Sequence, residues 1–386
     1  MFYSPPVGND FRSRGFQDPF AFLVTRTYRP ASTTSPLPEF TAGDPLRGAD
    51  RATNLTRAGV DRNLRDAYVQ QWNLSIQKQI STDILWEVAY RGSKSTRLQT
   101  NLNYNEIFPN PPQPPGFVQI FPYPNLAAVS ILESRAAGNH HALSTRLEKR
   151  LSKGFTFLVN YTFSKTLTDV DASTVGVSLS AGASGPNTIR NLKDNKGPAI
   201  FDRPHQMNVS AVYEPPIFKT GPMLARLLLG GWQIAPIWTA YSGAYLTPGN
   251  FNVQNTGSRP DVVGNPNLSG GDRTIDRWFD TEAIQNATPG RFGNSGKGII
   301  QGSGANNWDV NLAKNFHFTE RHTVQFRAEL FNAFNHPQFD DPVLQPLVRD
   351  ATGRILNPNA GKVTSASDFG FRQTERVIQF GLKYSF

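Results

Sequence analysis

The sequence predicts an all-β fold of antiparallel strands in simple up-and-down order, forming part of a transmembrane β-barrel. Three observations support this fold class. Apolar and polar residues alternate in about nine segments, each near the length that crosses a bilayer at a tilt. Glycine (32 residues) and proline (29 residues) divide the chain into short pieces. Hydrophobic residues make up only 38% of the chain, and no run approaches the roughly 20 apolar residues of a membrane-spanning helix.

The alternation is clearest at the C-terminus, in residues 377–386, where every second residue is aromatic or aliphatic. Residues 155–163 repeat the pattern with one interruption at Leu158, and residues 324–330 repeat it without interruption. Weaker alternation predicts six further strands: 72–80, 84–91, 143–151, 207–214, 232–241 and 308–318. An apolar stretch at 223–229 is flanked by Gly and Pro, and it predicts a turn or a short helix.

The connections between these strands are of two kinds. Three are tight: 81–83, 152–154 and 319–321. Four are long and rich in Gly, Pro and Asn: 92–140, 165–205, 242–305 and 334–374. Short turns on one rim and long connections on the other are typical of an outer-membrane barrel, with the turns in the periplasm and the long loops outside the cell.

The polar faces of the strands carry charged residues that we expect to point into the barrel lumen, because the opposite faces would meet lipid. These lumen-facing candidates are Glu87, Arg146, Glu148, Arg150, Asp309, Arg327, Glu329 and Lys383. They could contact a plug or a passing substrate. For any one of them we favour a salt bridge to a neighbouring strand.

Catalysis, metal binding and nucleic-acid binding have little support in the sequence. The chain has no cysteine, and no hydrolase, metalloprotease or phosphate-loop motif occurs. The close pair His140–His141 would point to opposite faces of a strand, so no metal site is predicted. The net charge of +9 is scattered, and the aromatics alternate with neutral polar residues rather than with a basic face. We expect no enzyme activity, no cofactor and no nucleic-acid partner.

A soluble β-sandwich or propeller would also show alternating strands. Aromatic residues at the strand ends argue against it, because they suit a membrane interface. They are Trp72, Trp86, Tyr90, Tyr161, Tyr213, Trp232, Trp238, Tyr241 and Tyr384. Two functions therefore remain: an outer-membrane transporter or receptor, or a secreted or surface-anchored β-rich module whose loops bind glycans or proteins. If Phe155, Phe157, Phe326, Phe380 and Leu382 all face outward, the first is favoured; if they meet across a core, the second is.

Several short segments of the sequence resemble, in the same order along the chain, segments of one known protein family. They are Tyr68-Val69-Gln70-Gln71-Trp72-Asn73-Leu74-Ser75-Ile76, Tyr90-Arg91-Gly92-Ser93-Lys94, Asn160-Tyr161-Thr162-Phe163-Ser164-Lys165, Phe201-Asp202-Arg203-Pro204-His205, Gly230-Gly231-Trp232-Gln233, Glu329 to Pro337, and Leu382-Lys383-Tyr384-Ser385-Phe386. From about residue 60 to its end, the chain resembles the barrel of Oar-like TonB-dependent receptors.

The resemblance implies export to the outer membrane, a barrel of roughly 22 strands, and a plug domain in its lumen. TonB would be contacted through the N-terminus of the intact receptor. Because this chain shows fewer than half of the strands, and no plug, signal peptide or TonB-box-like segment, it is predicted to be a C-terminal fragment. Residues 1–67 would be an extracellular loop region after a truncated strand, and 68–386 the C-terminal part of the barrel.

The C-terminal strand resembles the signal that the barrel-assembly machinery reads. Its alternate residues, which carry that signal, are Ile378, Phe380, Leu382, Tyr384 and Phe386.

Overall fold

A computed structural model describes residues 2–4, 55–107, 121–124, 126–170, 187–217, 222–249, 259–287, 292–318, 322–344, 355, 357–366 and 374–386. Its strands, in chain order, are β1 (Phe2–Ser4), β2 (Leu55–Val60), β3 (Ala67–Ser81), β4 (Ile84–Asn103), β5 (Leu126–Ser152), β6 (Phe155–Thr168), β7 (Gly197–Pro198), β8 (His205–Tyr213), β9 (Trp232–Tyr241), β10 (Tyr245–Leu246), β11 (Asp261–Val262), β12 (Ile284–Gln285), β13 (Ile300–Gln301), β14 (Ala305–His317), β15 (Thr323–Phe331) and β16 (Val377–Ser385). One helix, α1, spans Met223–Leu229, and 3-10 turns span Leu192–Asn195 and Thr281–Ala283.

Ten of the described strands form one continuous hydrogen-bonded path through the main sheet. Its order is β1-β3-β4-β5-β6-β8-β9-β14-β15-β16, and every neighbouring pair on this path is antiparallel. The nine predicted strands correspond to β3, β4, β5, β6, β8, β9, β14, β15 and β16. The prediction of an antiparallel up-and-down sheet is therefore confirmed, and the short helix is present as α1.

The tight turns share one end of the sheet, which we call the lower rim. Lys153 and Gly154 both have positive φ, and a Cβ on Gly154 would lie 2.2 Å from the backbone oxygen of Glu214, so only glycine fits there. At the first turn, the Ser81 hydroxyl donates to Asp83 at 2.6 Å. The third turn, 319–321, lies outside the described residues, but His317 and Thr323 pair on either side of it.

The long connections meet at the opposite end, the upper rim, and two expectations about them are wrong. The stretch 92–140 is not a loop throughout, because β4 continues to Asn103 and β5 begins at Leu126, and the two pair above the other strands. The strands are also not all antiparallel. β2 runs parallel to the upper part of β5, from Leu55 beside Leu126 to Val60 beside Leu132, within the segment predicted as a loop. β6 pairs with β5 only as far up as Thr168. Above that point, β2 takes the place of β6 along the same edge of β5.

The described parts of the upper connections fold against one another instead of remaining structureless. Leu246, Phe279, Ile284, Ile300 and Leu344 form a buried apolar cluster, and the short pairs β10–β13 and β11–β12 hold its segments together. This cluster lies in the connections and not under the sheet. Among the described residues, no helix is long and apolar enough to cross a membrane.

The sheet has two open edges. Among the described strands, β16 pairs with β15 alone, and β3 pairs with β4 and, over three residues at its upper end, with β1. In the described residues no hydrogen-bonded pair joins β3 to β16. The prediction that the strand of Trp72 and the strand of Phe386 do not close on each other is confirmed.

Candidate functional site

The register of the sheet separates two faces, because residues directly opposite in an antiparallel pair point to the same side. Phe326 lies opposite Leu382, and Val324 opposite Tyr384. Following the register across the sheet, the same side carries Trp308 opposite Trp238, and Phe155 opposite Tyr213. We call this side the apolar face and the other side the polar face.

The apolar face holds the five side chains that discriminate between a membrane barrel and a packed core. Phe155, Phe157, Phe326, Phe380 and Leu382 all lie on it. They do not meet across a core: Phe380 is 68% exposed and Leu382 is 76% exposed. Phe326 and Phe380 stack side by side along the face, with ring centroids 5.9 Å apart.

Most of the strand-end aromatics lie on the apolar face too, as the interface interpretation expects. Tyr241 is the exception. It pairs with Gln206 and Ala305, which places it on the polar face, where the Arg203 guanidinium lies 4.4 Å from its ring centroid. The interface interpretation is therefore wrong for this residue.

All eight lumen-facing candidates lie on the polar face. On β4 and β5, Glu87 pairs with Arg146, and Glu148 and Arg150 follow at alternate positions. On β14 to β16, Asp309, Arg327, Glu329 and Lys383 occupy equivalent alternate positions. The structure does not bring them into one cluster, because the first four and the last four are separated by β6, β8 and β9. Whether this face lines a lumen stays a prediction.

The expected salt bridges across neighbouring strands do not form among these candidates in the described residues. Arg146 instead bonds Glu148 along its own strand at 2.6 Å, and Arg327 approaches Glu329 in the same way at 3.8 Å. The cross-strand neighbour of Glu87 that bonds it is neutral: the Gln77 amide donates to its carboxylate at 2.8 Å. Residues two apart on one strand share a face, so pairing along the strand competes with pairing across it.

Asp309 has a positioning role at the upper end of its strand. Its carboxylate accepts from the backbone N–H of Asn332 at 2.9 Å and from the Asn307 amide at 3.0 Å. It thereby fixes the point at which the chain leaves β15.

A shallow depression of about 210 Å³ opens on the last two strands. It is lined by Arg327, Glu329, Gln379, Gly381, Leu382 and Lys383. Arg327 lies directly opposite Gly381, and no atom lies within 4 Å of the position that a Cβ on Gly381 would take. Because glycine has no side chain, a small polar group would fit here, beside the cations of Arg327 and Lys383 and the carboxylate of Glu329.

The C-terminal strand presents its alternate residues on the apolar face, at an edge of the described sheet. Phe386 is 91% exposed and stacks on Tyr384, with ring centroids 5.6 Å apart. Tyr384 is held in turn by His322, whose Nδ1 lies 2.6 Å from the tyrosine oxygen. The proposed assembly residues are therefore accessible, but their role in assembly stays a prediction.

Sequence reasoning missed the buried polar residues of the upper connections. Glu106 is fully buried and accepts from the Thr188 hydroxyl at 2.6 Å and from the Ile189 backbone at 2.7 Å, besides pairing with Arg190. Arg259 is buried as well and donates to the Asp194 carbonyl at 3.0 Å. These contacts join residues 65 to 84 positions apart, so no local pattern could have indicated them.

Asp202, in the phrase Phe201 to His205, is buried where β7 and β8 meet the upper rim. Burial raises the pKa of its carboxyl group, although hydrogen bonds from Thr166 and the charges of His140 and Lys165 act in the opposite direction. In the sequence, this residue was marked only as part of the phrase Phe201-Asp202-Arg203-Pro204-His205.

Comparison with known proteins identifies the family to which this two-faced sheet belongs. A family model described as an outer membrane beta barrel domain matches residues 1–379. The chain belongs to this family. It is thus an outer-membrane β-barrel protein, located in the outer membrane, and in such a barrel an apolar face of this kind contacts lipid. This location favours the transporter or receptor over the secreted or surface-anchored β-rich module.

Among solved structures, the outer membrane transporter YddB from Escherichia coli is similar to this chain, with a TM-score of 0.41 and 10% identity. The similarity covers 86% of this chain and 34% of the transporter, so the chain spans about a third of that protein's length. No curated protein matches the chain.

Proposed function

We propose that the chain forms part of the wall of a TonB-dependent, Oar-like outer-membrane transporter or receptor, which moves its substrate through the barrel in the intact protein. The observation that carries this proposal is an open sheet with an exposed apolar face on one side and charged residues on the other. In the part of the chain that the structure describes, β16 and most of β3 have backbone groups unpaired on their outer side, which a membrane does not tolerate. We propose that further strands of the intact receptor complete the circumference; the barrel of roughly 22 strands that the resemblance implies has a wide lumen.

The polar face would line this lumen and contact a plug domain supplied by another part of the intact receptor. The four charged residues Asp309, Arg327, Glu329 and Lys383 lie on neighbouring strands, where a plug or a passing solute would meet them. TonB would act through the N-terminus of the intact receptor, and the barrel-assembly machinery would insert the chain through β16. The ordered phrases that resemble those of Oar-like receptors support the TonB-dependent form of the proposal.

The proposal gives the chain no catalytic role and no cofactor. Its polar candidates are spread along strands in two separate parts of the polar face. Ion pairs such as Arg146–Glu148 occupy the carboxylates that acid–base chemistry would use.

A cross-linking experiment tests TonB dependence. The full-length protein is expressed in a diderm host whose TonB carries a photoactivatable residue in its periplasmic domain. We expect an adduct of the two proteins on illumination, and none in a host whose TonB lacks that residue. If no adduct forms while the protein still shows a heat-modifiable, membrane-inserted band, the barrel remains established and TonB dependence is refuted.

A further inference from the structure

Four basic side chains form a row across the apolar face near the upper rim. Lys94 on β4, His141 on β5, Lys165 on β6 and His205 on β8 are all exposed. His141 lies directly opposite Lys165. Lys94 lies opposite Asn139, two residues from His141, and His205 lies opposite Phe163, two residues from Lys165. Each member is thus a direct or diagonal cross-strand neighbour of the next, within reach of one ligand.

Aromatic side chains hold both imidazoles of this basic row. Tyr90 Oη lies 2.7 Å from Nδ1 of His141, and Tyr161 Oη lies 2.8 Å from Nδ1 of His205. Trp72 packs beside His141, with ring centroids 6.3 Å apart. A tyrosine hydroxyl that donates to Nδ1 leaves the ring proton on Nε2, which is then a donor available to an external acceptor.

The depth of the basic row follows from strand geometry. Lys165 lies ten residues above Phe155, the first residue of β6. At about 3.4 Å per residue and a tilt of about 40°, this corresponds to roughly 26 Å along the membrane normal. The apolar band of an outer-membrane barrel is about 25 Å tall, so Lys165 reaches the lipid headgroups when Phe155 lies at the lower boundary.

The charge of the basic row is not neutralised on its own face. Its register neighbours there are uncharged, among them Gln70, Asn139 and Leu167. Among the described residues, no carboxylate lies within ion-pair distance of Lys94 or Lys165. The acid that interacts with Lys165 at longer range is Asp202, which is buried against Thr166 on the other side of the sheet.

Three lysines lie on the same face near the lower rim: Lys78, which is exposed, and Lys149 and Lys314, which provide a contrast. Lys149 forms an ion pair with Asp83. Lys314 is buried, donates to the Gly230 carbonyl and lies 5.1 Å from the centroid of the Trp232 ring. Both are occupied by the protein itself, whereas the ammonium groups of the basic row remain available.

We infer that the basic row binds the phosphate groups of a phosphorylated lipid headgroup in the outer leaflet. Two ammonium groups and two imidazole donors in one row match several phosphate oxygens, and the flanking Trp72 and Phe163 offer apolar surface to the acyl chains. Assigning the upper rim to the outer leaflet rests on the orientation given above. It does not depend on TonB, so the two proposals can fail separately.

Binding is measured on the full-length protein purified in a mild detergent, by native mass spectrometry against a bisphosphorylated glucosamine-disaccharide lipid. The same lipid without its phosphates, and inorganic phosphate, serve as the other probes. The variant Lys94→Gln/Lys165→Gln removes two charges. At the usual contribution of a lysine near an anionic membrane surface, we expect it to bind about 30-fold more weakly than the wild type.

Two matched variants separate this effect from general electrostatics and from misfolding. Lys78→Gln/Lys193→Gln removes the same charge from exposed positions outside the row and should bind as the wild type does. Lys94→Arg/Lys165→Arg should retain binding, and the lipid without phosphates should bind poorly. Unchanged binding by Lys94→Gln/Lys165→Gln, or an equal loss in the Lys78→Gln/Lys193→Gln control, would overturn the inference. So would displacement of the lipid by equimolar inorganic phosphate, which would indicate a site for free anions.

Discussion

A charge placed on alternate residues of β16 should have opposite consequences on the two faces. Phe380 lies six residues before the C-terminus. At about 3.4 Å per residue and a tilt of about 40°, it lies roughly 16 Å above the lower end, near the middle of the apolar band. Arginine at this depth on a lipid face costs about 2–4 kcal/mol, and the loss of the Phe326–Phe380 stack adds about 0.5–1.5 kcal/mol. We therefore expect Phe380→Arg to lower the free energy of unfolding by about 3–5 kcal/mol.

Gln379→Arg is the matched control, because it places the same group one residue away on the polar face. Gln379 lies opposite Glu329, so the new guanidinium gains a carboxylate partner and the free energy of unfolding should change by less than about 1 kcal/mol. Both variants are measured in the full-length protein by urea-dependent folding into lipid vesicles, with tryptophan fluorescence and heat-modifiable mobility as signals. Equal losses for the two variants, or a larger loss for Gln379→Arg, would refute the assignment of the two faces.

Three further predictions concern other parts of the chain. Deleting Phe386 should reduce the heat-modifiable, membrane-inserted fraction in a diderm host far more than Phe380→Ala does; an equal or smaller loss would leave Phe386 as one more lipid-facing aromatic. Gly92→Ala should lower the free energy of unfolding by about 1–3 kcal/mol, because its Cβ would lie 2.2 Å from the Trp72 indole, and a second substitution, Trp72→Ala, should remove that difference. Asp202→Asn should make hydrogen-exchange protection around residues 199–205 less dependent on pH.

The sign of the pH effect follows from the raised pKa of the Asp202 carboxyl group. The native state holds this proton at higher pH than the unfolded state, so the stability of the segment falls as pH rises from the unfolded-state value to the native one. In the wild type, the backbone amides of residues 199–205 should therefore exchange more slowly at the acid end of this pH window. In the asparagine variant, their exchange protection should stay near that acid-end level throughout the window. A wild type with protection that rises with pH through this window would contradict the prediction.

The membrane-crossing strands could be predicted because each is a local period-2 pattern that must place apolar side chains toward lipid. The segment 232–241, for example, has in the structure the bounds that its alternation predicted. Beyond Arg91 the pattern fades into Gly-Ser-Lys-Ser-Thr, yet β4 continues to Asn103, because pairing with β5 needs backbone groups and no apolar alternation. The parallel strand β2 was missed for a similar reason, since its partner edge on β5 exists only after the sheet has formed.

The composition of the polar face was predictable from the sequence, but its contacts were not. Alternation alone assigns Arg327 and Glu329 to one side of β15. It does not indicate that Arg327 faces Gly381, because that depends on the register with a strand some 50 residues away. The buried cluster of Leu246, Phe279 and Ile300 joins isolated apolar residues from separate connections, which no periodic pattern marks.

The central claim is that one face of this sheet meets lipid and the other meets an aqueous lumen. A cysteine scan of β16 tests it directly, because this chain contains no cysteine of its own. In the full-length protein in lipid vesicles, thiols at 378, 380, 382 and 384 should carry fluorophores that are quenched by nitroxide lipids. Thiols at 379, 381 and 383 should instead react quickly with a water-soluble maleimide and resist lipid quenching. The predicted result is lipid quenching at the even-numbered positions and maleimide labelling at the odd-numbered ones. Uniform reactivity along the strand, or the reverse assignment of even and odd positions, would contradict the two-faced arrangement.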